Sequence, residues 1–495
     1  MTKSMLEKLK GKVNRDIEEN IYFLEECLGT DISLDVIIRE FKIGGKKAVL
    51  CYIDSFSDDE IVTLIMQSLI LTEKKDIVPN THQKILDKTI PYTETDVTTD
   101  LQKIIDEILS GQMILLNDGE DKAIILDTRW YPARDPAEPE VERVTRGSRD
   151  GFVETIMFNI GLVRRRIRDP RLRVKPFRIG ERSKTDVVLL YLQDVTNPEL
   201  LKNIEEELGK INIDGIPMAE KTIEEYIIQD YLNPYPQVRY TERADVASIH
   251  IMEGHVVVLV DTSPSAIIAP ATIFHHMHHA EEYRQNAVVG TYLRWVRFVG
   301  IFISLFLAPL WLLGSLEPDL LPEALAFIGP EEVGPIPLAL QFVMAHVFVD
   351  LVKMASIHTP NPLATALGLV AAILIGEIAV DVRVFIPEVL LYISIAAVGM
   401  FSTPSYEFQL ANRLAHLLFL VLIGLFTYYG FIFGLIVGFI VLLRTRSFGV
   451  PYLWPLIPFN WSALMAVLFR KPVPVRNYLR PQALNVKNKY RQGRK

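Results

Sequence analysis

Apolar positions are distributed very differently along two parts of this chain. Over the first 290 or so residues they recur in short bursts separated by charged runs, whereas from Phe298 to Leu443 they are almost continuous. Residues 1–30 carry the spacing of an amphipathic helix. Residues 31–135 alternate strand-like runs (VIIREF, KKAVLCYI, QMILLND, KAIILDT) with helical stretches such as DDEIVTLIMQSLILTEK, the pattern of a small α/β domain. WYPARDPAEPE (130–140) reads as a linker. A second α/β unit follows, with a helix expected over 150–167. Strands are expected at DVVLLYL (186–192) and HVVVLVD (255–261), with the helix NPELLKNIEEELGKI between them. PSAIIAPATIF then leads out through HHMHHAEEYRQN. Two such units in tandem are compatible with a distant duplication, although the residues show no repeat strong enough to claim.

A helix needs about 20 apolar residues to cross a bilayer. The stretches 298–316, 336–358, 363–381 and 384–402 each qualify. The run 414–443 is 30 residues, too long for one upright helix, and Tyr428-Tyr429-Gly430 offers a turn that divides it into two short ones. Arg294 and Arg297 precede the first stretch, Arg444 and Arg446 follow the last, and the 317–335 loop carries only acids. That bias puts both ends on the cytoplasmic side. An even count is then required, six being preferred and four the fallback. The expected fold is an α/β cytoplasmic head of two small subdomains plus an α-helical multi-pass transmembrane domain. Its divisions are an N-terminal amphipathic helix (1–30), the first subdomain with its linker (31–140), the second subdomain (141–290), the transmembrane domain (291–446) and a basic cytoplasmic tail (447–495).

Composition agrees with a hybrid: 49% hydrophobic residues, 23% charged and a mean hydropathy of +0.22. The net charge of −8 conceals a split. From Arg444 onward there are 11 Arg or Lys and no acid, which leaves −19 to everything before it. A basic, aromatic-rich tail beside a membrane span suits anionic lipid on the cytoplasmic leaflet. Cys27 and Cys51 are too few for a disulfide framework and lack metal-ligand spacing, so inert thiols in a reducing compartment are expected. The charged N-terminus has no apolar core, and no signal peptide is expected there.

Ionisable residues inside the apolar stretch carry the candidate chemistry, because such groups are expensive in hydrocarbon and persist where they act. With six spans, Glu377 and Glu388 each lie about 6 Å below the outer surface at a 1.5 Å rise per residue. Repeated around a symmetric oligomer, they would form acidic rings of the kind cation channels use. The alternative is two interfacial residues reaching water. Asp350 and Lys353 share a helix face three residues apart and are expected to form a structural pair rather than an ion relay. Glu407 and Arg413 are placed in an inner loop. In the soluble part, 141–173 holds nine arginines. Interleaved acids and the membrane body argue against nucleic acid as a partner. Arg164, Arg165, Arg166 and Arg168 cover most of a helix circumference, so bidentate ion pairs between domains or subunits are expected. His275, His276, His278 and His279, with Glu281 and Glu282, are weak metal candidates. No HExxH pattern or second ligand cluster accompanies them, so no metal is expected, and a partly exposed juxtamembrane helix is the simpler reading. A pH-sensing role stays open. With no P-loop, dinucleotide fingerprint or catalytic triad in view, neither an enzyme nor a cofactor is expected.

EVERVTRGSRDGFVETIMFNIGLVRRRIRDPRLR, TERADVASIHIMEGHVVVLVDTSP and HTPNPLATALGLVAAILIGEIAVD closely resemble the A-subunit family of GerA-type spore germinant receptors. The likeness runs from about residue 30 to 460. NPYPQVRYTERADVA and FHHMHHAEEYRQ look most like a branch associated with the dipicolinic-acid channel proteins rather than with a full receptor set. The resemblance implies a protein of the inner spore membrane that assembles with itself into a ring-shaped, pentameric ion channel opening during germination. It also implies other germination membrane proteins as partners. In typical receptors a separate transporter-like subunit binds the nutrient, and nothing in this chain looks like it. The leading expectation is therefore a homo-oligomeric, ion-conducting subunit that promotes release of monovalent cations. The runner-up is a scaffold or regulator that conducts nothing. A membrane-anchored metal enzyme rests only on the histidines, and a secondary transporter lacks apparent inverted repeats. The residues alone support no more than an oligomeric membrane conduit or carrier with a cytoplasmic head.

Overall fold

The computed structural model describes residues 11–77, 84–85, 90, 94–131, 142–322, 329–331, 334–358, 368–371, 373–472 and 480–489. The chain forms two compact units. One is drawn from Met1–Gln229, Tyr240–Pro270 and Asn477–Lys495, the other from Asp230–Arg239 and Ala271–Arg476.

The first unit holds two five-stranded sheets built on one plan. Its first half runs α1 (Ile17–Leu28), β1 (Val36–Ile43), β2 (Lys46–Ile53), α2 (Asp59–Ile70), β3 (Thr95–Thr98), α3 (Leu101–Ser110), β4 (Met113–Asn117) and β5 (Ala123–Leu126). Its second half runs α4 (Ile156–Arg166), β6 (Leu172–Ile179), β7 (Thr185–Leu192), α5 (Pro198–Lys210), α6 (Ala219–Ile228), β8 (Arg239–Thr241), α7 (Ala244–Glu253), β9 (Val256–Val260) and β10 (Ala266–Ala269). The strand orders are β1-β2-β4-β5-β3 and β6-β7-β9-β10-β8, the same topology twice. Pairing is antiparallel in register Val36↔Ile53 for β1–β2 and Leu172↔Leu192 for β6–β7. The central strands β4, β5, β9 and β10 are buried along their whole length, so they read as unbroken apolar runs with no alternation. Both halves end the helix before their fourth strand in the same way. Gly111 (φ +99°) closes α3 and Gly254 (φ +106°) closes α7, left-handed positions where a side chain is strained.

One place where the halves meet is the corner between α1 and β6. Leu34 N–H donates to Val174 O at 3.2 Å, and Arg173 donates to Leu28 O at 3.2 Å. Gly29 (φ +67°) caps α1 there, and a Cβ on it would lie 2.5 Å from the Arg173 guanidinium carbon. Cys27 and Cys51 are both free and buried, and burial pushes the Cys27 thiol up to about 12, which makes it a poor nucleophile. The helix expected over 150–167 begins at Ile156. Residues before it stay extended because Asn159 brackets Val153, accepting from its N–H at 2.8 Å and donating to its carbonyl at 2.6 Å. Most of the 130–140 linker, and residues 1–10 of the N-terminal segment, lie outside the described residues.

Among the described residues of the second unit, three helices are long and apolar enough to cross a membrane: α8 (Ala287–Leu316), α9 (Leu338–Ser356, continuing to His358) and α11 (Tyr406–Arg444). A shorter apolar helix, α10 (Pro387–Phe401), lies between the last two. Of the 363–381 stretch, only the part from 368 onward is described, apart from residue 372. α11 is not one rod. Thr427 takes φ 49°, ψ −123°, and the chain folds back on itself there. Phe419 and Phe431 have ring centroids 5.7 Å apart, and a Cβ on Gly434 would lie 2.8 Å from the Phe419 ring. Twelve residues of straight helix would separate those rings by about 18 Å. α8 and α10 cross at Gly300 and Gly399, close enough that a Cβ on Gly399 would meet the Gly300 carbonyl at 2.5 Å, the close approach that small residues permit between membrane helices. The segment after α11 divides. Residues 447–472 belong to the helical unit, while 480–489 pack with the α/β unit, where Lys487 N–H donates to Val195 O at 2.9 Å.

Candidate functional site

The arginine-rich helix α4 ends in Arg164, Arg165 and Arg166, and each takes a different direction. Arg164 is buried and meets the buried carboxylate of Asp35 in a two-pronged pair, Nε–Oδ2 and Nη2–Oδ1 both at 2.9 Å. Its Nη1 donates to Leu172 O at 3.3 Å. That geometry matches a planar guanidinium to a planar carboxylate, and Asp35 belongs to the first half of the unit. Arg165 lies over the Tyr131 ring at 4.6 Å. Arg166 pairs with Asp150 at 2.6 Å and donates to Ser148 Oγ at 2.7 Å. Arg168, beyond the helix, reaches Tyr131 OH at 3.4 Å. The Arg166 and Ser148 hydrogen bonds hold the Asp150 carboxyl below its usual range against the opposing effect of burial.

The four histidines serve separate local ends. His275 accepts from Thr272 N–H at 2.9 Å in the cap of the short helix Ile273–Met277. His279 accepts from Glu281 N–H at 3.2 Å and caps Ala280–Arg284. His276 is fully buried, stacked on Phe408 at 6.0 Å, with Nδ1 3.3 Å from Ser405 Oγ. Burial, and secondarily the Arg239 charge, push its imidazole down to about 3. His278 is partly exposed, but its Nε2 is enclosed, and burial followed by the charges of Arg294, Arg239 and Arg297 drives it well below the ordinary range. The expectation of a merely half-exposed histidine helix is therefore corrected for His276. Among the described residues no three His, Cys, Asp or Glu side chains converge as a metal site. Glu282 is fully buried and is claimed by Arg294 at 2.7 Å and by Arg297.

Within the helical unit the Asp350–Lys353 pair is replaced by a different one. Asp350 forms its ion pair with Arg413, and Lys353 lies over the Tyr406 ring at 4.8 Å. Arg413 is not in a loop: it and Glu407 lie on α11, and Arg413 is buried. A short helical spacing predicts neighbours on one helix, and here the partner comes from the facing helix. Around Arg413 sits a buried polar cluster that the sequence reading did not single out. Arg413 Nη2 donates to His346 O at 3.2 Å, and the rings of His346 and His416 stack at 4.9 Å. His416 Nδ1 lies 2.8 Å from Ser304 O, in the π-helical stretch Ile303–Leu307 of α8. The signal was present as helical spacing. His346 and Asp350 are four apart on α9, and Gln409, Arg413 and His416 fall on one face of α11.

Glu388 stands in the first turn of α10, where a carboxylate favours the positive helix end, and its Oε1 accepts from Glu331 N–H at 3.0 Å. Glu377 is exposed on a second π-helical stretch, Leu374–Ile378. π-helical turns recur at functional positions.

Known proteins share sequence with most of this chain. A family model described as Bacillus/Clostridium GerA spore germination protein matches residues 23–483. The stage V sporulation protein AF of Bacillus subtilis (strain 168) is 45% identical over 98% of this chain and 98% of its own length. The spore germination protein KA of the same organism is 30% identical over 97% of this chain and 89% of its own. A crystal structure of the N-terminal domain of the A subunit of the Bacillus megaterium spore germinant receptor GerK3 is 28% identical, with a TM-score of 0.42 over 53% of this chain and 98% of that one. With a family model covering most of its length and a relative at 45% identity end to end, this chain belongs to the GerA family of spore germination proteins.

Proposed function

We propose that the chain is one subunit of a homo-oligomeric, ion-conducting complex of the inner spore membrane, and that its opening during germination promotes the release of monovalent cations. In this reading the α/β unit lies on the cytoplasmic, core side. The subunits form a ring, of five by the family resemblance, alongside other germination membrane proteins. The observation that carries the reading is Glu377. Its carboxylate projects from a helical stretch whose neighbours Leu369, Val370, Ile373 and Ile378 are all exposed. A carboxylate facing lipid in that company costs several kcal/mol, so a water-filled path or an adjoining subunit is its fitting environment. Repeated around a ring, Glu377, with Glu388, supplies the negative lining that selects cations.

The test is the mass of the purified complex in lipid nanodiscs, followed by single-channel recording in planar bilayers. An oligomer that passes potassium or sodium, and loses cation preference in Glu377→Gln or Glu388→Gln, supports the reading. A monomer that never conducts overturns it. Selectivity unchanged in both variants removes the acidic lining.

A further inference from the structure

Outside its long helices the helical unit displays a set of large apolar side chains that stay exposed among the described residues. Leu456, Ile457, Phe459 and Trp461 are 43%, 40%, 66% and 63% exposed, and Trp461 opens α12 (Trp461–Leu468), a helix with no buried residue. Tyr231 and Leu232, at the tip of a separate loop, are 75% and 97% exposed. Single exposed apolar residues are ordinary. A fixed group of them, sharing one level with the ends of the long helices, is not.

Both segments are tied to helix ends. Asn233, next to Leu232, donates from Nδ2 to Thr445 Oγ1 at 2.7 Å, and Thr445 is the residue that closes α11. Arg294, fully buried near the start of α8, donates from Nη1 to Ala466 O at 3.1 Å and Val467 O at 2.6 Å, the last turn of α12. Just beyond, Arg470 N–H donates to Thr291 Oγ1 at 3.1 Å and Arg470 Nη2 to Tyr283 O at 2.9 Å. The exposed side chains are thus held beside the first turns of α8 and the last turn of α11. Tyr292 and Trp295 on α8 are exposed in the same neighbourhood, and so are the basic Arg444 and Arg446.

We propose that the 231–232 loop tip and the 456–461 segment running into α12 form a rigid collar that seats in the headgroup layer of one leaflet and recognises anionic lipid. Aromatic side chains at helix ends and a helix lying flat with an apolar face are the features that favour this layer. The flanking arginines, with no acid after residue 444, add attraction to anionic headgroups. Such a collar fixes the height of the inner helix ends relative to the bilayer surface. The inference rests on reading α8 and α11 as membrane-spanning and is independent of ion conduction.

The test uses the full chain in liposomes of phosphatidylcholine with or without phosphatidylglycerol. Cys27 and Cys51 are buried, so an environment-sensitive fluorophore is placed at Leu232→Cys or Phe459→Cys, with Leu418→Cys (α11) and Leu71→Cys (α/β unit) as references. Expected are blue-shifted emission at 232 and 459, quenching by lipids brominated near the headgroup, and several-fold weaker quenching by aqueous iodide than at 71. Phosphatidylglycerol should deepen the shift, and Arg444→Gln/Arg446→Gln should abolish that deepening. If 232 and 459 are quenched by iodide as at 71 while 418 responds to brominated lipid, the collar is refuted and the spanning helices stand. Iodide quenching at 418 refutes the spanning reading itself. Protection of 232 and 459 from both quenchers means a protein partner covers them, which also overturns the proposal.

Discussion

The pair Arg164–Asp35 is the most demanding interaction in the α/β unit, and its removal has a calculable consequence. Both side chains are essentially excluded from water, at 1% and 0% exposure, and two 2.9 Å bonds satisfy them. Arg164→Met leaves the Asp35 carboxylate buried with no cation, and losing one partner of a buried pair costs about 3–5 kcal/mol. Arg164→Lys should cost much of the same, because a point ammonium does not replace the two-pronged fork. Replacing both, as Asp35→Leu/Arg164→Met, removes the stranded charge and should recover most of the loss.

Global unfolding of a chain with two units is a poor measure, since a single transition is not assured. Native-state hydrogen exchange of the full chain in nanodiscs reads the corner directly. The amides of β1, β2 and β6 should exchange roughly a hundredfold or more faster in Arg164→Met, as tenfold corresponds to about 1.4 kcal/mol. Those of α10 should not change. Acceleration below about fivefold at the corner, or a double variant as labile as the single one, would refute the argument that this pair joins the two halves.

Two further outcomes follow from the helical unit. His276 titrates at about 3 in the fold and near 6.5 when unfolded, so the unfolded chain binds the extra proton between those values. Its contribution is complete above pH 6.5 and falls by about 1.4 kcal/mol per unit below it. His276→Phe, which keeps the stack on Phe408, should therefore flatten by about 2 kcal/mol the loss of hydrogen-exchange protection around 273–277 between pH 7 and 5, after correction for the intrinsic exchange rate; parallel profiles would contradict it. The reversal in α11 can be tested by spin labels at Leu414→Cys and Ile440→Cys, which a straight helix would hold about 39 Å apart and two packed arms within roughly 10–15 Å. Gly430→Val should broaden or lengthen that distance, because even a Cβ there would lie 2.0 Å from Leu422 O.

Much of this fold is legible in the residues, and the exceptions have physical causes. Six strand-like runs, from VIIREF to HVVVLVD, coincide with β1, β2, β4, β5, β7 and β9, because buried strands are written in β-branched and aliphatic residues. β6 escapes the pattern: LRVKPFRI carries three basic residues and a proline. Only its first three positions and its last are buried, and burial of Arg173 there serves the corner between the halves. β3 (TDVT) and β8 (RYT) are short and carry polar side chains, so no apolar run marks them, and β10 (AIIA) lies inside PSAIIAPATIF, which reads as a lead-out. The repeated topology stays hidden for a related reason. SGQMILLND and EGHVVVLVD share a capping glycine, a leucine in the apolar run and a closing aspartate, three identities in a segment too short to establish a repeat, so topology exposes what residue matching does not. Among the candidate sites, reasoning along a single helix misassigned Asp350, whose partner arrives from a facing helix about 60 residues later in the chain.

The redistribution of charge in the helical unit sharpens what remains. An ionisable group among apolar helices must be neutralised, hydrated or held by hydrogen bonds. Asp350 is answered by Arg413, Lys353 has the Tyr406 face, Glu407 accepts from Ser405 Oγ at 3.0 Å, and Glu388, in the first turn of its helix, accepts from the backbone amide of Glu331. Each of these is settled inside one chain. Glu377 differs in kind: its stretch is π-helical and its described apolar neighbours face outward. Among the described residues, the surface beside it presents Leu369, Val370 and Ile373. In the proposed ring that charge is met by water or by another copy, and the selectivity of Glu377→Gln is the measurement that separates this from an interfacial residue reaching water at the membrane edge.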